Sequence, residues 1–398
     1  MNTHHITVAV TGGIAAYKAC ELVRLLKKNG YVVSVAMTKN ATEFVTPLTF
    51  ETLSGNPVAL TEWRHDGQGG MPHIDLNKAS DLVVVMPATA NILAKAAHGI
   101  ADDLVSTMIS ARRTPVLFVP AMNRYMWANP ATQRNVATLR QDDFLFAGPV
   151  DGLQACGDIG AGRMMDVEDV LECIDAVWVE KTLSGKHVVV TAGPTYEPID
   201  DVRGITNKSS GKQGYAIARA LREAGADVTL ISGPCHLKTP VGVTQIDVTT
   251  AKGMLAAVEA TLEATPVDAF IGVAAVADWC VEEPFVGKLK KREGRAPTLA
   301  FVENPDILSL VAHRENAPIC IGFAAEAKDL EAYAREKCLK KGCAFIVANV
   351  AKEALGKDTN EVLFVDPEHT EAIGPTTKHA IARAIVARLA QLLEKHHA

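Results

Sequence analysis

Short apolar runs rich in Val and Ile alternate with helical patterns along the whole chain, an order that predicts parallel sheets covered by helices. Runs at 6–10, 32–37, 82–86 and 116–119 read as strands of a first sheet. A helix is predicted over 13–28, where Leu22, Val23, Leu25 and Leu26 form an apolar stripe and Gly30 ends it. The pattern then restarts with a strand at 188–190, a glycine turn, a helix over about 214–223, a stop at Gly225 and a strand at 228–231. Further strands are expected at 269–273, 319–323, 344–347 and 362–365, and an amphipathic helix over about 377–394 closes the chain.

A single hydrophobic core stops growing near roughly 250–300 residues, so a chain of 398 residues should hold two domains. The polar stretch 180–186, with Ser184 and Gly185, is the linker expected between them. The boundary is therefore placed near Lys186, giving domains 1–186 and 187–398. No period of about 20–50 residues recurs, which excludes a solenoid. The expected fold class is α/β, with two doubly wound, mainly parallel-sheet domains.

Composition narrows the function classes. At 48% hydrophobic and 22% charged the chain can bury a core. Its formal charge of −6 argues against a general nucleic-acid or membrane-surface protein, whose partners demand a basic face. No apolar run approaches the ~18 residues that span a bilayer, and the first five residues lack the basic start of a secretory signal. A cytoplasmic location is expected. Eight cysteines are scattered without a CxxC pair, so neither a zinc site nor a disulfide framework is indicated.

Small residues follow the first predicted strand in Thr11-Gly12-Gly13-Ile14-Ala15-Ala16-Tyr17-Lys18. Free backbone N–H groups at such a turn can hold a phosphate at a helix start. It is not the GxGxxG dinucleotide fingerprint, and by itself it is equally an ordinary strand-to-helix turn. Two further strand ends, Pro87-Ala88-Thr89-Ala90-Asn91 and Pro120-Ala121-Met122-Asn123, should converge on the same carboxyl edge, where open α/β sheets bind ligands.

Three segments of the first half, 11–18, Pro120-Ala121-Met122-Asn123-Arg124-Tyr125-Met126-Trp127 and Gln154-Ala155-Cys156-Gly157-Asp158-Ile159-Gly160 with Gly162-Arg163-Met164, resemble the phosphopantothenoylcysteine decarboxylases. The resemblance implies a flavodoxin-like flavoprotein domain with FMN as cofactor. It places Gly13, Ile14 and Ala15 at the FMN phosphate, Thr38 and Thr89 as polar contacts, and Met122 and Asn123 beside substrate. His73, in Met71-Pro72-His73-Ile74-Asp75-Leu76, matches the catalytic histidine of that family. An imidazole titrates near about 6.5 and suits acid or base work.

In that family, flavin oxidation of the cysteine thiol to a thioaldehyde supplies the electron acceptor that lets CO₂ leave. Asn123 would hold the substrate carboxylate, and Cys156 would donate the proton that completes reduction. A single cysteine is ordinarily a small buried hydrophobe, but the glycines around Cys156 suit a movable flap. The resemblance also implies trimers of the first domain.

In the second half, Thr191-Ala192-Gly193-Pro194-Thr195-Tyr196-Glu197-Pro198-Ile199-Asp200 precedes Val202-Arg203-Gly204-Ile205-Thr206-Asn207-Lys208-Ser209-Ser210-Gly211-Lys212-Gln213-Gly214. Hydroxyls, glycines and lysines at a helix start form an anion-binding setting that lacks the GxxxxGK[ST] of a P-loop. These segments resemble a phosphopantothenate–cysteine ligase domain, as do Ala274-Ala275-Val276-Ala277-Asp278-Trp279, Lys288-Leu289-Lys290-Lys291, Asn304-Pro305-Asp306-Ile307 and Gly322-Phe323-Ala324-Ala325-Glu326. A Rossmann-like ligase is implied. It would use CTP to activate 4′-phosphopantothenate as an acyl-cytidylate and then join it to cysteine.

By that resemblance CTP contacts Gly272, Val273, Ala274, Asp278, Lys288, Asn304, Pro305, Asp306, Ile307, Phe323, Lys337 and Lys341. Asn207 and Arg203 would grip the acyl-cytidylate or its pantothenate end, and Ala275 would lie in the catalytic strand-end loop. Lys288 would neutralise the departing pyrophosphate; its neighbours Lys290, Lys291, Arg292 and Arg295 read as a solvated loop. Mg²⁺ should accompany CTP, held largely by phosphate oxygens and water, with no protein ligand assigned. Dimeric ligase domains are implied, and a dodecamer would satisfy both symmetries. Two departures from relatives are Ala348-Asn349-Val350, where an aspartate is common after the asparagine, and Trp279 in place of a frequent tyrosine.

Two rival classes remain. An FMN-binding regulatory or interaction protein with degenerate catalysis is disfavoured by the joint presence of His73, Asn123 and Cys156. A nicotinamide-dependent oxidoreductase is disfavoured because neither first strand leads into GxGxxG.

Overall fold

The computed structural model describes residues 4–63, 70–290, 298–326, 329–350 and 359–397. Lys291, Arg292 and Arg295 lie outside them. By its contacts the chain forms two compact units, Met1–Val177 and Trp178–Ala398.

In chain order the first unit contains β1 (His5–Val10), α1 (Ala16–Lys28), β2 (Val32–Met37), α2 (Pro47–Ser54), β3 (Val58–Ala59), α3 (Pro72–Ala79), β4 (Leu82–Ala88), α4 (Ala90–Ala97) and α5 (Leu104–Ser110). It continues with β5 (Val116–Pro120), α6 (Arg124–Ala128), α7 (Pro130–Gln141), β6 (Leu145–Phe146), β7 (Val150–Leu153), β8 (Ile159–Arg163) and α8 (Val167–Val177). Six strands form a parallel sheet in the order β3-β2-β1-β4-β5-β6. Its central strands are buried on both faces, which is why they read as unbroken apolar runs. The helix after β1 starts at Ala16 and not at Gly13, because Gly13 begins a turn in which Ala16 N donates to Gly13 O at 2.9 Å. Its buried face is Ala16, Ala19, Leu22, Val23 and Leu26. Full burial of one such leucine contributes about 2 kcal/mol.

The second unit contains β9 (His187–Ala192), β10 (Tyr196–Pro198), β11 (Gly204–Thr206), α9 (Lys212–Glu223), β12 (Asp227–Ser232), β13 (Thr244–Asp247), α10 (Ala251–Ala264), β14 (Ala269–Gly272), β15 (Trp279–Val281) and β16 (Phe301–Glu303). After these come α11 (Ile307–Ala312), β17 (Ile319–Glu326), α12 (Leu330–Lys341), β18 (Phe345–Val350), β19 (Thr359–Val365), β20 (Thr370–Thr377) and α13 (Lys378–His397). The main sheet has eight strands in the order β13-β12-β9-β14-β17-β18-β19-β20, parallel as far as β18 and antiparallel beyond. The last strand is a feature that sequence periodicity missed. Its residues are mostly exposed, so it carries no apolar alternation to read.

The stretch taken as a linker packs into this second unit. Leu183 is fully buried, its N–H donates to Ala224 O at 2.9 Å, and Lys181 Nζ donates to Glu223 O at 2.6 Å. Ile381, Ile385 and Leu389 of α13 are also fully buried and pack in the same cluster as Ile217 and Leu221 of α9. Among the described residues no helix is long and apolar enough to cross a membrane.

Candidate active sites

Four neighbouring parallel strands, β2, β1, β4 and β5, end on one edge of the first sheet. That edge gathers Gly13, Ile14 and Ala15 after β1, Thr38 after β2, Thr89 after β4, and Met122 with Asn123 after β5. Thr11 Oγ1 donates to Pro87 O at 2.5 Å and ties two of the strand ends together. The N-cap of α1, Ala15, makes no side-chain cap bond, so the first-turn N–H groups of this helix receive no side-chain acceptor from their cap. Thr89 caps α4 by accepting from Ile92 N at 3.3 Å.

His73 stands in the first turn of α3. A helix that crosses over between parallel strands starts on their carboxyl side, which brings His73 to the same edge. Two polar atoms here, Thr38 Oγ1 and His73 Nδ1, are buried without a hydrogen-bond partner. Buried polar atoms are normally paired. Unpaired polar atoms at the edge that carries a phosphate-type turn fit a polar, planar, phosphorylated group such as FMN.

The β7–β8 hairpin lies beside the loop after β5. Met122 N donates to Gly162 O at 3.0 Å, and Arg124 Nη1 donates to Ile159 O at 2.8 Å. Gly162 is required at this crossing: its φ is +125°, and a Cβ there would run into Met122 O. At the hairpin tip Cys156 is exposed. Asn123 Nδ2 lies 3.2 Å from Cys156 Sγ and 2.7 Å from Asp158 Oδ2, and Cys156 Sγ is 3.4 Å from the same carboxylate oxygen. The Asn123 amide and then the Cys156 thiol hold the Asp158 carboxyl below the usual carboxylate range. Asn123 and Cys156 thus lie within hydrogen-bonding reach of one another. Asp158, which had been given no role, joins them.

In the second unit a cavity of about 840 Å³ opens at the carboxyl edge of β9, β14 and β17. Of the residues proposed from sequence, Asn207, Gly272, Val273, Ala274, Ala275, Asp278, Asn304, Pro305, Asp306, Ile307, Phe323, Lys337 and Lys341 line it. Asn207 Nδ2 donates to Ala275 O and Val276 O, both at 3.1 Å, and Asn304 Nδ2 donates to Ala277 O at 2.9 Å. Asn304 Oδ1 is buried and unpartnered. Lys337 Nζ donates to Phe323 O at 2.8 Å, and Lys341 pairs with Asp306 at 3.0 Å. Gly193, with φ +74°, lets the strand end pass Cys235, whose Sγ a Cβ would approach to 2.6 Å.

Arg203 and Lys288 do not line this cavity. Arg203 is engaged with Asp200, and its Nη2 also donates to Leu289 O at 2.8 Å. Lys288 is exposed on the adjoining loop. The cavity wall further includes Lys208, Ser209, Ser210 and Lys212, whose motif was read as anion-binding without individual roles, together with Asn349 and Lys378. No sequence signal marks Lys378. The fold carries it there at the start of α13, where its carbonyl accepts Gln213 Nε2 at 3.2 Å. Among the described residues no group of three or more His, Cys, Asp or Glu side chains is arranged to hold a metal ion.

Two family models match the chain: "Flavoprotein" over residues 1–179, and "DNA/pantothenate metabolism flavoprotein C-terminal domain" over 183–393. The coenzyme A biosynthesis bifunctional protein CoaBC of Vibrio cholerae is 44% identical over 386 residues, spanning 96% of each chain. Its namesake from Bacillus subtilis is 41% identical over 400 residues and 98% of each chain. The protein of that name from Escherichia coli K12 is 45% identical over 348 residues, 86% of this chain and 85% of the relative. Among solved structures, the C-terminal domain of a coenzyme A biosynthesis bifunctional protein CoaBC is 35% identical, with TM-score 0.47, over 54% of this chain and all of that one.

Proposed function

The chain belongs to the family of bifunctional coenzyme A biosynthesis proteins, and from that premise we propose which residues carry each of its two reactions. It is an enzyme with phosphopantothenoylcysteine decarboxylase and phosphopantothenate–cysteine ligase activities. Its second unit is read as using CTP to activate 4′-phosphopantothenate and couple it to cysteine. The first unit then removes CO₂ from that product with the help of FMN.

A free carboxylate is a poor acyl donor, so activation comes first. A carboxylate oxygen of 4′-phosphopantothenate attacks the α-phosphorus of CTP; the bond to the β-phosphate breaks, and pyrophosphate leaves. The cysteine amine then attacks the acyl carbon and CMP departs. Asn207, anchored on the carbonyls of Ala275 and Val276, faces the cavity where the acyl-cytidylate would lie. Lys337, Lys341 and the loop Asn304, Pro305, Asp306 and Ile307 supply a cationic and polar wall for the nucleotide. Lys288 would offset charge on the departing pyrophosphate. Mg²⁺ is expected to arrive with the triphosphate.

In the first unit, Gly13, Ile14, Ala15, Thr38 and Thr89 would hold FMN. When bound, that group supplies the two-electron acceptor and donor that decarboxylation of a simple amino-acid carboxylate needs. His73 would move a proton at the edge of the sheet. Asn123 would orient the substrate carboxylate, and Cys156 would return a proton to carbon after CO₂ has left. The hairpin that carries Cys156 would limit the access of water.

Exposed apolar side chains support self-association of both units. Ile14, Leu48, Trp63 and Met71 are exposed on the first, and Trp279, Phe285, Val286 and Phe301 on the second. Trimers of the first unit, dimers of the second and a dodecamer that uses both contacts are the assemblies proposed.

The observation that carries this reading is the cavity of about 840 Å³, to which separate segments of the second unit bring all the proposed nucleotide residues except Lys288. The test is purified protein with 4′-phosphopantothenate, cysteine, Mg²⁺ and either CTP or ATP, following pyrophosphate and CO₂. Pyrophosphate and CO₂ released together with CTP are expected. Turnover with ATP alone would overturn the choice of nucleotide.

A further inference from the structure

The two residues flanking Lys288 are each held by a different carboxylate. Gly287 N donates to Asp201 Oδ2 at 2.9 Å, and Leu289 N donates to Asp200 Oδ2 at 3.0 Å. The Asp200 side chain is 0% exposed and also accepts from Val202 N at 2.9 Å, Arg203 N at 2.7 Å and Arg203 Nε at 3.0 Å. Arg203 closes the clamp from the other side by donating to Leu289 O at 2.8 Å. One backbone bond, Phe285 N to Ile199 O at 2.9 Å, starts the same seam. Val286, between these anchors, is fully exposed, so the packing of its own side chain does not fix the loop. Hydrogen bonds do.

We propose that Asp200 and Asp201 are positioning residues for Lys288, fixing its backbone from both sides so that its ammonium is delivered to one place. This rests on the reading that Lys288 acts in CTP-dependent ligation. A lysine ammonium rides on a flexible four-carbon stem, so its placement is only as good as that of its Cα. Displacing a catalytic group by about 1 Å can cost on the order of 10²-fold in rate. Two adjacent acids, each committed to one neighbour of the lysine, restrict φ and ψ at Lys288 without touching its side chain. Arg203 is thereby a member of the clamp, which accounts for its absence from the cavity wall.

Asp200 is buried under several N–H donors, so its removal endangers folding; Asp201 is exposed and is the variant to use. In the full chain, Asp201→Ala slows CTP-dependent pyrophosphate release about tenfold, whereas Asp201→Asn, whose amide oxygen still accepts Gly287 N–H, stays within about twofold. Lys288→Gln is slow alone, and adding Asp201→Ala to it brings no further loss, because the anchor then has nothing to position. Decarboxylation of supplied phosphopantothenoylcysteine, a reaction of the first unit, is unchanged in all these variants, and an unchanged thermal melt of the full chain reports that the second unit is intact. Losses that multiply in the double variant, or a full rate in Asp201→Ala, overturn the proposal. A full rate in Lys288→Gln instead overturns the assignment of Lys288 itself, so the two failures are told apart.

Discussion

Asn123 donates its side-chain amide to the Asp158 carboxylate across 2.7 Å. The group expected to hold a substrate carboxylate is thus already holding one from its own chain. Substrate has to displace Asp158 before its own carboxylate can take the amide. Asp158→Ala should therefore lower KM for phosphopantothenoylcysteine by about threefold or more, since one carboxylate competitor has gone. Inhibition by 4′-phosphopantetheine, which lacks that carboxylate, should not change. An equal effect on both ligands would show that Asp158 shapes the hairpin and does not compete.

Thr38 Oγ1 is buried without a partner at the edge where FMN is expected. Thr38→Val keeps the shape and removes the hydroxyl. The purified protein should be yellow and release FMN on denaturation, and the variant should bind FMN about tenfold more weakly, the loss expected for one buried hydrogen bond. Absorbance titration of apoprotein gives both affinities. Equal affinity for the two proteins would remove Thr38 from the site.

The alternation of strands and helices was readable because the central strands of both sheets are buried on both faces, leaving runs such as 188–190 apolar without interruption. Two short antiparallel pairs were not. Tyr196–Pro198 with Gly204–Thr206, and Trp279–Val281 with Phe301–Glu303, are three-residue strands far too short for a period to show. Asn123 follows β5, and the fold must deliver such parallel strand ends to one edge, whereas Asn207 and Asn304 follow the short strands β11 and β16 and were named from their motifs alone. Asp158 and Lys378 were not legible, since their importance depends on which distant segment they meet. Arg203 was assigned to ligand from its motif, but its engagement with Asp200 and Leu289 needs the loop pairing that only the three-dimensional structure reveals.

Glu223 gives the second unit a signature in acid. Burial pushes its carboxyl up, but the His379 ring, whose Nε2 lies 3.3 Å away as a close charge partner and not in hydrogen-bond geometry, and then Arg219 outweigh burial and bring it down to about 2 from 4.5. Arg383 adds a further contact at 3.1 Å and ties α13 to α9. A carboxyl depressed on folding stabilises the protein above its unfolded pKa and loses that contribution as pH falls through its folded value. Stability of the second unit should hence drop between about pH 4.5 and 2. Glu223→Gln should be less stable near neutrality by roughly 1–3 kcal/mol and show a flatter slope across that acid window. Thermal melts at stepped pH decide it; parallel slopes for the two proteins would mean that Glu223 is not the group responsible.

Cys156 sits exposed at the tip of the β7–β8 hairpin, 3.2 Å from Asn123 Nδ2, close to where the substrate carboxylate would be held. A thiol at that place can protonate the carbon that loses CO₂, and it takes no part in holding FMN, whose proposed contacts lie at other strand ends. Serine keeps the size and a hydrogen-bonding atom but is a far weaker acid than a thiol, whose free pKa is about 8.5. The Cys156→Ser protein should therefore retain FMN and release CO₂ from phosphopantothenoylcysteine in a single turnover. Its product should be the unsaturated ene-thiol, two hydrogens short of 4′-phosphopantetheine, and mass spectrometry separates the two. A normal yield of the saturated product would show that another group donates the proton and leave Cys156 as a residue of the hairpin turn alone.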